Sequence, residues 1–128
     1  MPEDTPWMTS NQRLHHYPRR ERTRKWRQQA AVHANLTTAR PFPKPARIIA
    51  WIVRDSNRKY DPNNLNPTTK ACIDGFIDAG LAPDDDRHHV IGPDHRHLTV
   101  NKHAPGVIFV ITPYQPDHDG RPHHETLR

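Results

Sequence analysis

Ile48 to Val53 is the longest nearly apolar stretch of the chain, and it follows directly on the proline-broken run ARPFPKPAR, residues 39–47. Proline has no backbone N–H and pushes its predecessor into extended conformations, so this run predicts an extended connection. The residues after it read as a strand. Their side chains, Trp51 among them, are apolar on both faces, which predicts a central position in a sheet. The stretch is far shorter than the roughly 20 residues of a membrane helix. The opening MPEDTPW also lacks the basic-then-apolar order of a signal peptide. A soluble, cytoplasmic chain with no membrane partner is expected.

With 14 prolines against 5 glycines, regular elements must be short and separated by stiff connections. A length of 128 residues suits a single domain over 1–128, with 1–10 and 113–128 expected to be flexible. Only 33% of residues are hydrophobic, so the core will be small, and a second copy covering apolar surface would add stability. One cysteine, Cys72, excludes an intramolecular disulfide and any site built from several thiolates.

Residues 19–36 follow Pro18 without Gly or Pro and predict a helix with Trp26, Ala30 and Ala34 on one side and a basic first half. Thr68 to Ala79 predicts a second helix. Cys72, Ile73, Phe76 and Ile77 form its apolar stripe, Lys70, Asp74 and Asp78 share the other face, and Gly80 is the expected C′ residue. Val90-Ile91 reads as a short segment halted by Gly92-Pro93, and His97 to Val100 and Val107 to Thr112 as further strands. The polar stretch from Tyr114 onward reads as a frayed tail. This alternation predicts an α/β class: a small two-layer domain, with a mixed sheet of about four strands packed on two helices.

Charge is segregated. Residues 1–45 and 46–60 carry net +6 and +3, residues 61–94 carry −5, and residues 95–128 carry +1. A basic surface beside an acidic centre suits an enzyme that draws in a polyanion and holds a metal ion among carboxylates. Ordinary solvated charge runs give the same numbers. Arg outnumbers Lys 14 to 5, which fits phosphate recognition by the guanidinium fork and equally fits a GC-rich genome.

The acidic centre reads Asp61-Pro-Asn63-Asn64-Leu65, then a helix from about Thr68 that carries Lys70, then Asp84-Asp85-Asp86. Mg²⁺ takes oxygen ligands, and Asp61, Asn63 and one of the three later aspartates can supply them. A helix of about 12 residues is roughly 18 Å long, so one ion reaches both ends only if the flanking loops fold back. The alternative is a plain Asp-Pro-Asn turn and a solvated acidic loop.

The run RKYDPNNLNPTTKACIDGFIDAGLAPDDDRHHVIGPD, with PWMTSNQRLHH near the N-terminus, resembles the RusA family of crossover junction endodeoxyribonucleases, above all its phage and prophage members. The likeness spans most of residues 6–112. It implies a RusA-like fold and a Mg²⁺-dependent enzyme that resolves Holliday junctions and related branched DNA as a homodimer, each subunit cutting one strand. No small organic cofactor is implied. The expected setting is the cytoplasm of a bacterial host. By this resemblance Asp61 and Asp85 are metal-binding aspartates and Lys70 the essential lysine. Asn63 stands where many members carry a second aspartate; its carbonyl can ligate Mg²⁺ but adds no charge. The usual first strand is short or missing, since only MPEDT precedes Pro6-Trp7.

Phosphodiester hydrolysis needs an activated water, neutralisation of charge on the phosphoryl oxygens and stabilisation of the leaving oxyanion, all of which carboxylate-bound Mg²⁺ supplies. Asp61 and Asp85 would hold the ion, Asn63 would complete its shell, and Lys70 would face the phosphate. The competing role for Lys70 is a helix-surface pair with Asp74. DNA phosphates are expected to meet Arg54, Arg58 and Lys59, just before Asp61, and Arg19, Arg20, Arg24 and Lys25 on the first helix. His95-x-His97 places two imidazoles on one strand face, as zinc would require, but exposed histidines explain the pair as well. Cys72 belongs to the core stripe. The alternative function is a junction-binding protein weakened in catalysis by Asn63 or by the short N-terminus.

Overall fold

The computed structural model describes residues 7–9, 16–36, 41–82 and 89–120. The elements run α1 (His16–Leu36), β1 (Ala46–Arg54), a 3₁₀ turn (Pro62–Leu65), α2 (Asn66–Asp78), β2 (Val90–Val100), β3 (Gly106–Pro113) and a second 3₁₀ turn (Pro116–His118). The order β2-β1-β3 puts β1 in the middle, parallel to β2 and antiparallel to β3. This is a small α/β domain with a mixed sheet and two helices, as the alternation of elements predicts.

The sheet has three strands among the described residues, not four. Val90-Ile91 and His97–Val100 belong to one strand, because Gly92-Pro93 does not end it. In the β1–β2 register Arg47 pairs with Ile91 and Ile49 with Asp94, so Gly92 and Pro93 together face one residue of β1 as a bulge. Gly92 holds φ +111°, a left-handed value open to glycine, and a Cβ there would press on the Ile48 carbonyl oxygen. Local composition alone read this bulge as a stop.

Ala46, Ile48, Ala50 and Ile52 alternate along β1 as fully buried residues facing the helices. Their β3 neighbours Ile111, Phe109 and Val107 lie on the same side of the sheet. In α1, Trp26, Ala30 and Ala34 are buried at i, i+4 and i+8. In α2, Ala71, Cys72, Ile73 and Phe76 are buried, and the Cys72 thiol is pushed up to about 12 by that burial. Phe76 meets Phe42 and Phe109 edge-on, with centroids 6.1 and 5.1 Å apart, which ties α2 to the sheet. The helix pair is clasped at its surface by Arg27, whose Nε and Nη2 donate to Asp78 at 2.5 and 2.8 Å. α2 ends as expected, on Gly80 with φ +84°.

Two segments depart from the sequence expectation. Residues 7–9 are anchored although they form no strand: Met8 is fully buried, its N–H donates to Thr68 Oγ1 at 2.8 Å, and Thr68 Oγ1 donates back to the Met8 carbonyl at 2.8 Å. The stretch after β3 is not wholly a frayed tail, because Asp119 reaches back to Arg47, which donates through Nε at 2.6 Å and through Nη2 to Asp94 at 3.1 Å. No helix among the described residues is long and apolar enough to cross a membrane.

Candidate functional site

Asp61 follows β1 by one loop and caps the first 3₁₀ turn. Its backbone is extended, and its Oδ1 accepts from the Asn63 N–H at 3.0 Å. Asp and Asn are favoured at such a position because a short side-chain oxygen satisfies an otherwise orphaned N–H. Pro62 then sits in the first turn, where its missing N–H costs nothing. The carboxylate is thereby fixed at the surface, at the edge of a pocket of about 260 Å³ lined by Arg54, Lys59, Tyr60, Asn64 and Thr9.

Arg54 ends β1 and lies over the Tyr60 ring, with its guanidinium carbon 4.2 Å from the centroid. Its Nε is buried and has no hydrogen-bond partner among the described residues. Burial raises the pKa of Tyr60 against the pull of Arg54, and the phenol hydroxyl pairs with His97 Nδ1 at 2.5 Å. His97 stands edge-on to Tyr60, centroids 5.6 Å apart and rings at 69°. A second pocket of about 280 Å³ opens on that side, between Tyr60, His97, Arg58, Lys59, Asn57 and Pro62.

His95 shares the helix-facing side of β2, opposite Ala50. Its Nε2 lies 2.7 Å from Thr69 Oγ1, and the same hydroxyl donates to the Asn66 carbonyl at 3.2 Å. The hydroxyl has a single proton, so both contacts are hydrogen bonds only when His95 Nε2 donates; the network thus assigns the tautomer. Burial lowers the pKa of His95, against the raising effect of Asp94 and Asp61, and favours the neutral ring.

The structure brings part of the expected constellation together. Asp61, Arg54 and Lys59 line one pocket, and Arg58 lines its neighbour. Asn63 contributes its N–H to Asp61, and the adjacent Asn64 rather than Asn63 lines the pocket. Lys70 is one turn into α2, its Nζ 3.1 Å from Asp74 Oδ1, and is not among the residues lining the pocket. Arg19, Arg20, Arg24 and Lys25 lie on α1, whose main packing partner is α2, and Arg24 pairs with Glu21. Asp85 lies outside the described residues. The histidines of the His95-x-His97 pair are each engaged, with Thr69 and Tyr60, and no group of three or more His, Cys, Asp or Glu side chains suited to a metal occurs among the described residues.

Tyr60, Asn64 and Thr9 carried no signal of their own in the sequence. Tyr60 adjoins Asp61 and could have been found by reading aromatics interleaved with Arg58 and Lys59. Thr9 arrives only through the burial of Met8.

A larger pocket, of about 550 Å³, lies on the opposite side of the sheet, between Arg47, Arg96, Gln115 and Asp119. Its cations are matched internally: Arg47 holds Asp94 and Asp119, and Arg96 holds Asp94 at 3.0 Å. Burial pushes the Asp94 carboxyl up, but its bonds to Arg96 and Arg47 outweigh this and hold it below the usual range. The smaller site at Asp61 sets two cations, Arg54 and Lys59, beside one carboxylate. A search of protein-family models, curated proteins and solved structures yields no match to this chain.

Proposed function

We propose that this chain is a Mg²⁺-dependent, structure-selective endonuclease of RusA type that resolves four-way junctions and related branched DNA as a homodimer, in the cytoplasm of a bacterial host and encoded by a phage or prophage. The observation that carries this reading is the sharing of one pocket by the Asp61 carboxylate and the Arg54 and Lys59 cations. A carboxylate alone repels a phosphodiester, and cations alone bind it without cutting. The two together suit a substrate phosphate that meets a divalent ion.

The donors at the pocket are oxygens, from Asp61 and the Asn64 amide, and fit a hard cation. A bound Mg²⁺ would supply an activated water and neutralise charge on the phosphoryl oxygens. Asp61 would hold the ion, with Asp85 as the second carboxylate that the family resemblance implies, and Asn63 fixes the Asp61 carboxylate through its N–H. Arg54 and Lys59 bind and orient the phosphate, with Arg58 following the strand outward. Lys70 takes part only if phosphate competes with Asp74 for its ammonium. The basic residues of α1 hold a more distant arm of the DNA.

A second reading, a junction-binding protein of weakened catalysis, is favoured by one feature: Asn63 adds no charge beside Asp61. Cleavage of a mobile synthetic four-way junction, with Mg²⁺ and with chelator, tests the proposal. Symmetric paired nicks that need Mg²⁺ and vanish in Asp61→Asn and Asp85→Asn support it. Tight junction binding without cutting favours the second reading, most clearly if Asn63→Asp then restores cleavage. Equal affinity for duplex and junction overturns both.

A further inference from the structure

We infer that the corner between Tyr60 and His97 receives one unpaired nucleobase, from the nucleotide next to the phosphate held at Asp61; this rests on the nuclease reading above. Two pockets share Tyr60 and Lys59 as a common wall. On one side of the ring stand the carboxylate and Arg54, which suit a phosphate. On the other side stand an imidazole, a proline and the polar side chains of Ser56 and Asn57, with Arg58 at the rim. One nucleotide has those two parts, a charged phosphate and a flat heterocycle, set about one ring width apart.

The corner is prepared for a flat guest. Arg54 covers one side of Tyr60 at 4.2 Å, and the Tyr60 hydroxyl holds His97 at 2.5 Å, so neither ring has to be ordered by the ligand. His97 and Tyr60, at 69° to each other, offer two surfaces, one for stacking and one for edge contact. Asn57 and Ser56 supply donors and acceptors at the same pocket and can read the edge of a base. A cavity of about 280 Å³ admits one heterocycle and not a stacked duplex. The guest must therefore leave its pair, which is easiest where strands exchange at a branch point. Tyr60, His97 and Asn57 thereby become determinants of where the enzyme cuts.

The test uses the full chain and four-way junctions carrying 2-aminopurine at successive positions around the branch point, in Mg²⁺-free buffer, with binding followed separately by anisotropy. The expected result is a fluorescence change of about threefold or more at a single position beside the cut phosphate, on the scale of losing one stacked neighbour. His97→Ala, an exposed residue whose loss leaves the core untouched, is expected to abolish that change and weaken junction affinity about fivefold or more. Asn57→Ala is expected to broaden the range of bases cut. Junction binding and Mg²⁺-dependent cutting with no position-specific signal, or a signal unaltered by His97→Ala, overturns the base pocket and leaves the nuclease reading in place. Loss of junction selectivity in the native chain overturns both.

Discussion

Thr69 Oγ1 of α2 lies 2.7 Å from His95 Nε2 of β2, and the same hydroxyl donates to the Asn66 carbonyl one turn earlier. Thr69 is fully buried, so its oxygen has no water to turn to, and the half-buried imidazole of His95 is its partner. The pair locks the start of α2, next to the turn capped by Asp61, against the sheet. Thr69→Val keeps the volume but leaves the imidazole donor unpaired. It is expected to lower stability by about 1–3 kcal/mol, read from urea unfolding.

The same burial gives a pH dependence of defined sign. His95 has a folded-state pKa below its unfolded value, roughly 6.5, so between the two the unfolded chain binds more protons and stability rises with pH. Its contribution is fully present above the unfolded pKa and is lost as pH falls through 6.5 toward the folded value. Asp94 and Asp61 narrow that window by favouring the charged ring. Unfolding midpoints across this range are expected to fall for the native chain more steeply than for His95→Gln. Parallel curves would contradict a half-buried neutral imidazole.

Gly75 fixes the distance between the helices. A Cβ at this position would collide with the Arg27 carbonyl oxygen and stand 2.9 Å from the Ala30 Cβ. Alanine normally improves a helix over glycine by about 1 kcal/mol. Here overpacking outweighs that gain, because the obstacle is backbone and cannot rotate aside. Gly75→Ala is expected to lower the melting temperature, and the larger Gly75→Leu to prevent folding; a more stable Gly75→Ala protein would show that the helices can part without cost.

Asp61→Asn separates chemistry from fold. Asparagine caps a turn as well as aspartate does, so the bond from the Asn63 N–H survives and the melting temperature is expected to hold. The charge that would hold Mg²⁺ is gone. Junction cleavage is expected to fall by about 10²-fold or more, with junction affinity little changed. An equal loss of affinity and cleavage would mean that Asp61 organises the DNA surface itself.

Much of the fold was legible in local pattern, and the site only in part. Ile48–Val53 between prolines and charge could be little other than a central strand, and the stripe of Cys72, Ile73 and Phe76 could only face a core. Gly92-Pro93 misled because a bulge depends on the strand it pairs with, and nothing within residues 90–97 describes β1. Asp61, Arg54 and Lys59 were found because they lie within eight positions of one another along the chain. Thr69 and His95 are 26 residues apart and Thr9 is farther still from Asp61, so their meeting is a product of tertiary packing. Lys70 shows the converse: its sequence position admits both roles, and the observed 3.1 Å pair with Asp74 is the local one.

The sheet face turned away from the helices supplies the last prediction. Ile49 and Trp51 of β1 lie beside Val110 and Ile108 of β3 on that face, with Asp94 and Arg96 of β2 on their other side. Ile108, Leu98 and Val110 are 51%, 47% and 41% exposed, although each belongs to a strand. An exposed apolar strip of this kind is costly in water, and the proposed paired cutting of opposite strands would need two active sites. On the proposed nuclease reading, a second copy seated on this face would meet both demands and leave the Asp61 pocket free for DNA. The native chain is expected to sediment as a dimer. Ile108→Glu, placed where no helix packs, is expected to give a folded monomer that nicks single strands without coupling the two cuts. A native monomer that still makes symmetric paired incisions would rule this arrangement out.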